Sequence, residues 1–393
     1  MSGATAALAP IPAAERQLAI PIGVGFFTAQ LSMTSAPYFI GAYAREHGLS
    51  ATSGGTLFLV EMFMFGAVML GSRPLLARVS PRWLVAVGTV LLAAGQWMSI
   101  AADDWAVLVA CRLVTGIASA FINVGAGSVA ARAQDPARVF GIANALTTLL
   151  CAGLYLASAA ASDWRGSTGV FAMLGVVALL SLPSLLLVPR GRAQAEEAPP
   201  PRGSLRAGLT ALVALLIFNG GVNAIWPFLE QLAGDIGISV QRFAAYQAIA
   251  AVLAAAGGLL AGRLGARYGR LLPLAIGLPA LGLACIALTR SSSGLGFLVA
   301  ETLFLSTWYF VYAYVLDVAA SADPSGHTVG LTAAGLPLSL GFGAIAGGAL
   351  IDLFSIPAVG LFGFVSTIVA LAVIAPAARR LDRTTTSHRE FVE

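Results

Sequence analysis

The sequence has 393 residues, of which 58% are hydrophobic and only 10% are charged, and its mean hydropathy is +0.86. Soluble globular chains carry about 25% charged residues, so water cannot be the main solvent of this protein. These values exclude soluble, intrinsically disordered and disulfide-rich secreted proteins and indicate an integral membrane protein.

Apolar stretches separated by short polar breaks predict twelve membrane-spanning helices. Each stretch has about 20 residues, enough to cross ~30 Å of hydrocarbon as a helix. In chain order, the predicted spans are 18–43, 52–72, 83–101, 105–131, 138–160, 168–188, 208–232, 241–262, 271–289, 295–319, 328–352 and 357–377. The sequence lacks the alternating pattern of membrane β-strands, so the predicted fold class is an all-α membrane protein.

Charged segments divide the twelve spans into two groups of six. The expected units are a tail at 1–17, a six-helix bundle at 18–189, a linker at 190–207, a second six-helix bundle at 208–378 and a tail at 379–393. The linker is charged and contains three consecutive prolines, which is typical of an exposed connection.

The distribution of arginine predicts the orientation in the membrane. The chain contains no lysine, and placing both tails and the linker in the cytoplasm leaves only Arg45, Arg165, Arg242 and Arg290 in loops on the opposite side. Because positive residues concentrate in cytoplasmic loops, both termini are predicted to be cytoplasmic.

The two halves of the chain are weakly similar to each other at a constant spacing. Gly48-Leu49-Ser50 aligns with Gly237-Ile238-Ser239, and Gly88 aligns with Gly277. Parallel repeats of this kind place a substrate site near the middle of the membrane, between the halves.

Three short motifs identify a resemblance to a known family. They are Gly258-Leu-Leu-Ala-Gly262-Arg263-Leu-Gly265-Ala-Arg267 after span 8, the related segment Arg73 to Arg82 after span 2, and Arg112-Leu-Val-Thr-Gly116 in span 4. The chain resembles the major facilitator superfamily, whose signature after the second and eighth helices is G-x-L-A-D-R-x-G-x-R. The acidic residue of that signature is replaced here by Ala77 and Gly262, and the antiporter signature of the fifth helix is missing.

The resemblance implies transport by alternating access, in which two pseudo-symmetric six-helix bundles rock around a central site. The loops after spans 2 and 8 carry Arg78, Arg82, Arg263 and Arg267, which are predicted to take part in gating by steadying the inward-closed state. Arginines there can bond the carbonyl groups at helix C-termini, favoured by the helix dipole. The alternative is that they serve only the positive-inside rule.

Three charged residues lie well inside predicted spans, namely Glu61, Arg112 and Glu301. Ionisable groups within a membrane are costly and usually functional. Arg112 and Glu301 occupy corresponding positions of the two halves, so they are expected to face each other across the cavity. A cavity with these charges beside aromatic residues would suit a small zwitterionic or charged organic molecule, although a buried structural pair remains the alternative.

Polar residues also form stripes at helical spacing on spans 1, 4, 7 and 10, which line the cavity in the family. The predicted substrate-binding residues on these stripes are Gln30, Thr34, Arg112, Asn123, Asn219, Asn223, Trp226, Glu301, Trp308 and Tyr312. The alternatives are hydrogen bonds between helices and aromatic packing.

Glu61 and Glu301 are the candidates for proton coupling. A carboxyl group that exchanges protons near neutral pH needs an apolar setting without a fixed cation. Glu61 is favoured because its sequence neighbours are apolar, whereas Glu301 is expected to face Arg112.

The resulting hypothesis is a proton-coupled secondary transporter of a small organic solute, monomeric, in the lipid bilayer of a bacterial cytoplasmic membrane. No enzymatic activity, cofactor, metal or nucleic-acid partner is expected, and the nucleotide-binding pattern GxxxxGK[ST] is impossible without lysine. The alternatives are a drug or metabolite exporter of the proton-antiporter type and a non-transporting receptor or assembly factor on the same fold.

Overall fold

The computed structural model describes residues 13–102, 104–191, 205–265, 267–323 and 327–390. Nearly all of these residues are helical, and this part of the chain contains no β-strand. Most of the predicted linker, at 192–204, and parts of both tails, at 1–12 and 391–393, lie outside the described residues.

The first half of the chain forms helices α1 to α6. Their bounds are Ala13–Ala29 and Leu31–His47 for α1, Ala51–Leu70 for α2, Pro81–Met98 for α3 and Trp105–Ala130 for α4, and Pro136–Leu185 contains both α5 and α6. A short helix, Ser72–Arg78, connects α2 to α3.

The second half forms helices α7 to α12. Helix α7 begins as Leu205–Val222 and continues through a 3-10 helix at Asn223–Phe228 into Leu229–Asp235. The bounds of the other helices are Val240–Leu264 for α8, Leu271–Thr289 for α9, Gly294–Ala322 for α10, His327–Leu353 for α11 and Ile356–Glu390 for α12. The twelve predicted spans are confirmed. At most of their ends, the predicted and the observed bounds differ by only a few residues.

The segment Pro136–Leu185 is two spans rather than one. Its 50 residues would extend about 75 Å as a continuous helix, more than twice the thickness of the hydrocarbon layer. The helical geometry breaks at Arg165 and at Gly166, whose φ of 56° lies in the left-handed region that glycine tolerates. The chain therefore turns there, with α5 before the break and α6 after it.

Helix α12 extends beyond the end of the last predicted span and includes most of the segment predicted as a tail. It continues to Glu390, and its uninterrupted apolar part ends before Arg379 and Arg380. Neither glycine nor proline follows Pro376 in this helix, so nothing in the sequence ends it at the membrane surface.

The two halves pack against each other along three helix pairs: α2 with α11, α5 with α8, and α1 with α7. Small residues allow the backbones of α2 and α11 to approach closely, since Gly55 lies against the backbone of Ala344 and Gly348 against that of Ala51. With twelve spans, both ends of the described chain, at residues 13 and 390, lie on one side of the bundle, here called the tail side, and the other is the distal side.

Candidate functional site

A cavity of about 1050 Å³ lies between the two halves. Its deepest lining residues are in the middle of the bundle, at Thr34 of α1 and Tyr155 of α5. From there it extends to residues near the tail-side ends of helices, including Ser128 of α4, Phe140 of α5 and Gly330 of α11. The cavity therefore opens towards the tail side, while the distal ends of the helices close it.

Most of the polar residues predicted on the four stripes lie in the cavity wall. Those that line it are Gln30, Thr34, Asn123, Asn223, Trp226, Trp308 and Tyr312. Asn219 is fully buried directly behind the wall. Its amide nitrogen donates to Ser339 Oγ at 2.7 Å, and its Oδ1 accepts a hydrogen bond from Trp308 Nε1 at 2.8 Å.

Aromatic residues of α10 form one wall of the cavity. The rings of Trp308 and Tyr312 are stacked, with centroids 5.1 Å apart and planes inclined by 12°. Tyr309 meets Trp308 edge to face at 5.1 Å. Because Asn219 holds the indole nitrogen of Trp308, this wall is oriented from behind by a hydrogen bond as well as by ring packing.

The polar groups of the first half lie on α1, α4 and α5. Gln30 and Asn123 have no hydrogen-bond partner for their amides among the described residues, and both line the cavity. Asn144 donates to the Phe140 carbonyl at 2.9 Å, which leaves its Oδ1 available. These amides can therefore donate to and accept from a bound molecule.

Arg112 does not line the cavity, and its expected position opposite Glu301 is wrong. It is fully buried inside the first half, where its Nη1 lies 3.2 Å from Glu61 Oε2. Its Nη2 donates to Gln96 Oε1 at 3.2 Å and to Ser99 Oγ at 2.6 Å. The guanidinium also lies over the ring of Phe171, at 4.9 Å from its centroid. Arg112 thus ties α4 to α2, α3 and α6.

The same contact corrects the expectation for Glu61, which was predicted to have no basic partner. Glu61 is fully buried against Arg112 across α2 and α4. Its sequence neighbours are apolar, but the cation comes from 51 residues away in the chain.

Glu301 is the buried carboxylate without a cation. It is fully buried, and neither of its oxygens has a hydrogen-bond partner among the described residues. Tyr38 of α1, in the other half, is also fully buried, and its hydroxyl group has no hydrogen-bond partner among the described residues. Gln247 of α8 is likewise fully buried with both side-chain polar atoms unpaired.

Aromatic rings separate Glu301 from the distal surface. Phe297, one turn before Glu301 in α10, packs against Phe243 of α8 with ring centroids 6.0 Å apart. Phe243 packs in turn against Tyr38 at 5.4 Å. On the tail side of Glu301, Leu305 and Tyr155 lie in the cavity wall. Glu301 therefore lies between these aromatic rings and the cavity, at the interface of the two halves.

Polar contacts between the halves close the distal side. Arg45 Nη1 at the end of α1 lies 2.6 Å from Glu230 Oε1 in α7. Asp352 at the end of α11 accepts hydrogen bonds from the backbone nitrogens of Ala51 (3.0 Å) and Thr52 (2.8 Å) at the start of α2. A carboxylate at a helix N-terminus is favoured by the helix dipole.

The loop arginines predicted to take part in gating differ in their contacts. Arg82 Nε donates to the carbonyl of Val188, just after α6, at 2.8 Å. The side chains of Arg78, Arg263 and Arg267 are exposed and have no hydrogen bond within the described part of the chain.

Another arginine, Arg270, makes the strong contacts in the loop between α8 and α9. It pairs with Asp317 of α10 at 2.8 Å, and its backbone nitrogen donates to Asp382 of α12. All of these contacts join helices within the second half.

The sequence analysis missed several residues of the site. Tyr309 and Met33 line the cavity although they lie off the stripes that identified their helices. Tyr155 and Cys151 of α5 line it too, and their spacing of four residues was an available signal that they share a helix face. Gln96 of α3 and Ser99, in the 3-10 turn that follows α3, hold Arg112; they are three residues apart and carried the same kind of signal.

Known structures resemble this fold over nearly the whole chain. A bacterial homolog of the human lysosomal transporter Spinster, in an inward-facing and unoccupied conformation, has a TM-score of 0.71 at 16% identity and covers 95% of this chain and 98% of its own. A D-xylose-proton symporter has a TM-score of 0.68 at 15% identity, with 91% and 96% covered. The nucleoside transporter NupG, as a D323A mutant, has a TM-score of 0.73 at 12% identity, with 92% and 99% covered.

Twelve spans in two halves around a central cavity define a membrane transporter. The sequence matches the Major Facilitator Superfamily over residues 22–324, so the chain belongs to that family and is a secondary transporter. Comparison with curated protein sequences found no match.

Proposed function

We propose that the chain couples the movement of a small organic solute to the movement of a proton, and that Glu301 carries the proton. One observation supports this most strongly: a fully buried carboxyl group, without a hydrogen-bond partner in the described chain, lies at the interface between the halves. A charge in such a position is strongly disfavoured, whereas a neutral carboxyl group is tolerated. The D-xylose-proton symporter of similar fold is consistent with proton coupling.

The position of Glu301 relates its protonation to the conformational change. Closing the distal side encloses Glu301 beneath the rings of Phe243 and Phe297 and beside Tyr38 of the other half. That closure is favourable only when Glu301 is neutral, so a proton taken up from the distal side promotes the closed distal state. The proton then leaves towards the cavity, whose wall includes Tyr155.

Glu61 is less suited to this role because Arg112 neutralises it within the first half. Loss of this pairing would leave the Arg112 guanidinium as an uncompensated buried charge. We propose a structural role for the Arg112–Glu61 pair instead.

The arginine distribution supports an orientation in the membrane, and the compact loops and lysine-free composition support a location. We propose that the tail side is cytoplasmic, that the membrane is a bacterial inner membrane and that residues 18–189 and 208–378 move as two units of a monomer. With this orientation the cavity opens to the cytoplasm, as in the inward-facing Spinster homolog.

Proton movement driven by solute tests the proposal. Purified protein is reconstituted into vesicles containing a pH-sensitive dye, and D-xylose, adenosine or L-alanine is added outside. A transported solute should change the internal pH with wild-type protein, whereas Glu301→Gln should abolish that change yet retain exchange of labelled solute. Asp163→Asn, at an exposed carboxylate of α5, is the matched control. Accumulation driven by a proton gradient in Glu301→Gln would contradict the assignment.

The direction of the pH change separates the two transport hypotheses. Internal acidification on solute uptake indicates symport, and alkalinisation indicates an exporter of the antiporter type, which the aromatic wall of Trp308, Tyr309 and Tyr312 would also suit. Binding of a solute without any flux would instead favour a receptor.

A further inference from the structure

The lining of the cavity, given the transport function proposed above, defines the class of solute that it binds. Among the described residues, no Asp, Glu, Arg or His side chain lines the cavity. An ion that entered would lose part of its hydration without gaining an opposite charge, which is unfavourable. A zwitterionic or charged solute, which the sequence suggested, does not fit this lining.

The charges that motivated that expectation lie elsewhere. Arg112 and Glu61 neutralise each other inside the first half, with both side chains fully buried. Glu301 lies one turn of α10 beyond the wall residue Leu305 and is itself completely buried. None of the three side chains presents a charge to a molecule in the cavity.

The second half supplies a surface for a flat ring. Trp308 and Tyr312 stack on each other, and the hydrogen bond from Trp308 Nε1 to Asn219 fixes the indole plane. Trp226 also lines the cavity, with its Nε1 donating at 2.9 Å to the carbonyl of Met33. Both indole nitrogens are therefore occupied, and the parts of these rings that line the cavity remain for stacking with a solute.

The first half supplies hydrogen-bonding groups. Gln30 and Asn123 have no partner for their side-chain amides in the described part of the chain, and each offers two donor hydrogens and an acceptor oxygen. Leaving such groups unpaired when a solute displaces water is costly, so the solute has to carry hydroxyl or amide groups that replace the water.

We propose that the cavity binds an uncharged solute composed of a planar ring and a part rich in hydroxyl or amide groups. The ring stacks on the wall of Trp308 and Tyr312, and the polar part bonds Gln30 and Asn123 across the cavity. In this arrangement both halves contact the same molecule. Binding of the solute can therefore favour one conformational state of the two halves over another.

Binding to the purified full-length protein tests this class with four probes, measured by the shift in Tm with ligand concentration. Adenosine carries an uncharged ring and hydroxyl groups, AMP adds negative charge, D-xylose lacks the ring, and tetraphenylphosphonium is an aromatic cation without hydrogen-bonding groups. Adenosine should bind at least tenfold more tightly than each of the other three. Equal or tighter binding of any of those three would overturn the proposal. Uridine and phenyl glucoside are two further uncharged ring compounds with hydroxyl groups, and the absence of a shift with both of them and with adenosine would also overturn it.

Substitutions locate the binding site. Trp308→Ala and Asn123→Ala should each weaken adenosine binding at least tenfold, whereas Ser292→Ala, at an exposed loop position, should leave it unchanged. Unchanged affinity in both cavity variants would place the bound molecule elsewhere and overturn the assignment.

Exchange of labelled compounds across vesicles separates this proposal from the transport function. If adenosine binds in the cavity but does not exchange, the transport function fails and the solute class stands. If AMP exchanges and adenosine does not, transport stands and the solute class is wrong.

Discussion

At the residue scale, the surroundings of Arg112 explain how a full charge is accommodated in the membrane. Its guanidinium contacts the carboxylate of Glu61, two polar side chains at the distal end of α3 and in the 3-10 turn after it, and an aromatic ring, with no exposure of either charged side chain. One carboxylate oxygen and the Nε of Arg112 still lack partners among the described residues. The pair is therefore sensitive to the loss of either member.

Arg112→Ala should lower the free energy of unfolding by about 3–5 kcal/mol, because it leaves Glu61 as an uncompensated buried charge. Replacing both residues, with Arg112→Met and Glu61→Leu, should recover most of that loss. The Tm of the purified variants measures both effects. Wild-type stability of Arg112→Ala combined with lost solute binding would instead indicate contact with the solute.

At the element scale, proline in α1 creates a contact between the halves. Pro37 has no backbone N–H, so the carbonyl of Met33 four residues earlier lacks its usual helical donor. Trp226 Nε1, in the 3-10 segment of α7, donates to that carbonyl at 2.9 Å. A helix irregularity in one half thus becomes an attachment point for the other half in the state with a closed distal side.

Trp226→Phe should shift the protein towards a state with an open distal side, because the Met33 carbonyl loses its donor at a cost of about 1–3 kcal/mol. The substitution Ala51→Cys reports this opening, because Ala51 is buried at the distal end of α2 against Gly348 of α11. After Cys111, Cys151 and Cys285 are replaced by alanine, its labelling by an impermeant maleimide from the distal side should increase.

Trp97→Phe is the matched control for this experiment. It removes an indole hydrogen bond to the Ala172 carbonyl, 3.3 Å long, which lies entirely within the first half. Labelling should therefore stay at the wild-type rate. An equal increase in both variants would show general loosening rather than opening between the halves.

At the scale of the whole molecule, polar contacts between the halves are found at the distal ends, whereas the contacts of Arg82 and Arg270 on the tail side remain within one half. Arg45–Glu230 and the Asp352 cap on α2 join the halves distally. This asymmetry stabilises the state in which the cavity opens towards the tail side.

Arg45→Ala should destabilise that state and increase the distal labelling of Ala51→Cys several-fold. The reason is that Glu230 is only 3% exposed and would lose its ion pair with Arg45. The exchange of charges, Arg45→Glu with Glu230→Arg, should restore the low rate. If the exchanged pair labels as fast as Arg45→Ala, the ion pair does not hold the halves together.

The sequence by itself determined the twelve spans, because a run of apolar residues long enough to cross the bilayer has no other stable environment. It also identified seven cavity-lining residues through helical spacing, since polar residues on one face of a span avoid lipid. Helical periodicity predicts that a residue points away from lipid, but it does not predict which neighbouring helix that residue contacts.

Only the tertiary structure decided the partners of the buried charges. Arg112 and Glu301 lie at corresponding positions of the two halves, yet Arg112 pairs with Glu61 inside its own half and Glu301 remains alone at the interface. The reason is that each helix in a bundle contacts neighbours in several directions, and a rotation of a few tens of degrees moves a side chain from the cavity into the interior of one half. That rotation depends on the packing of all the helices together, so it also decided that the cavity wall carries no charge in the described chain.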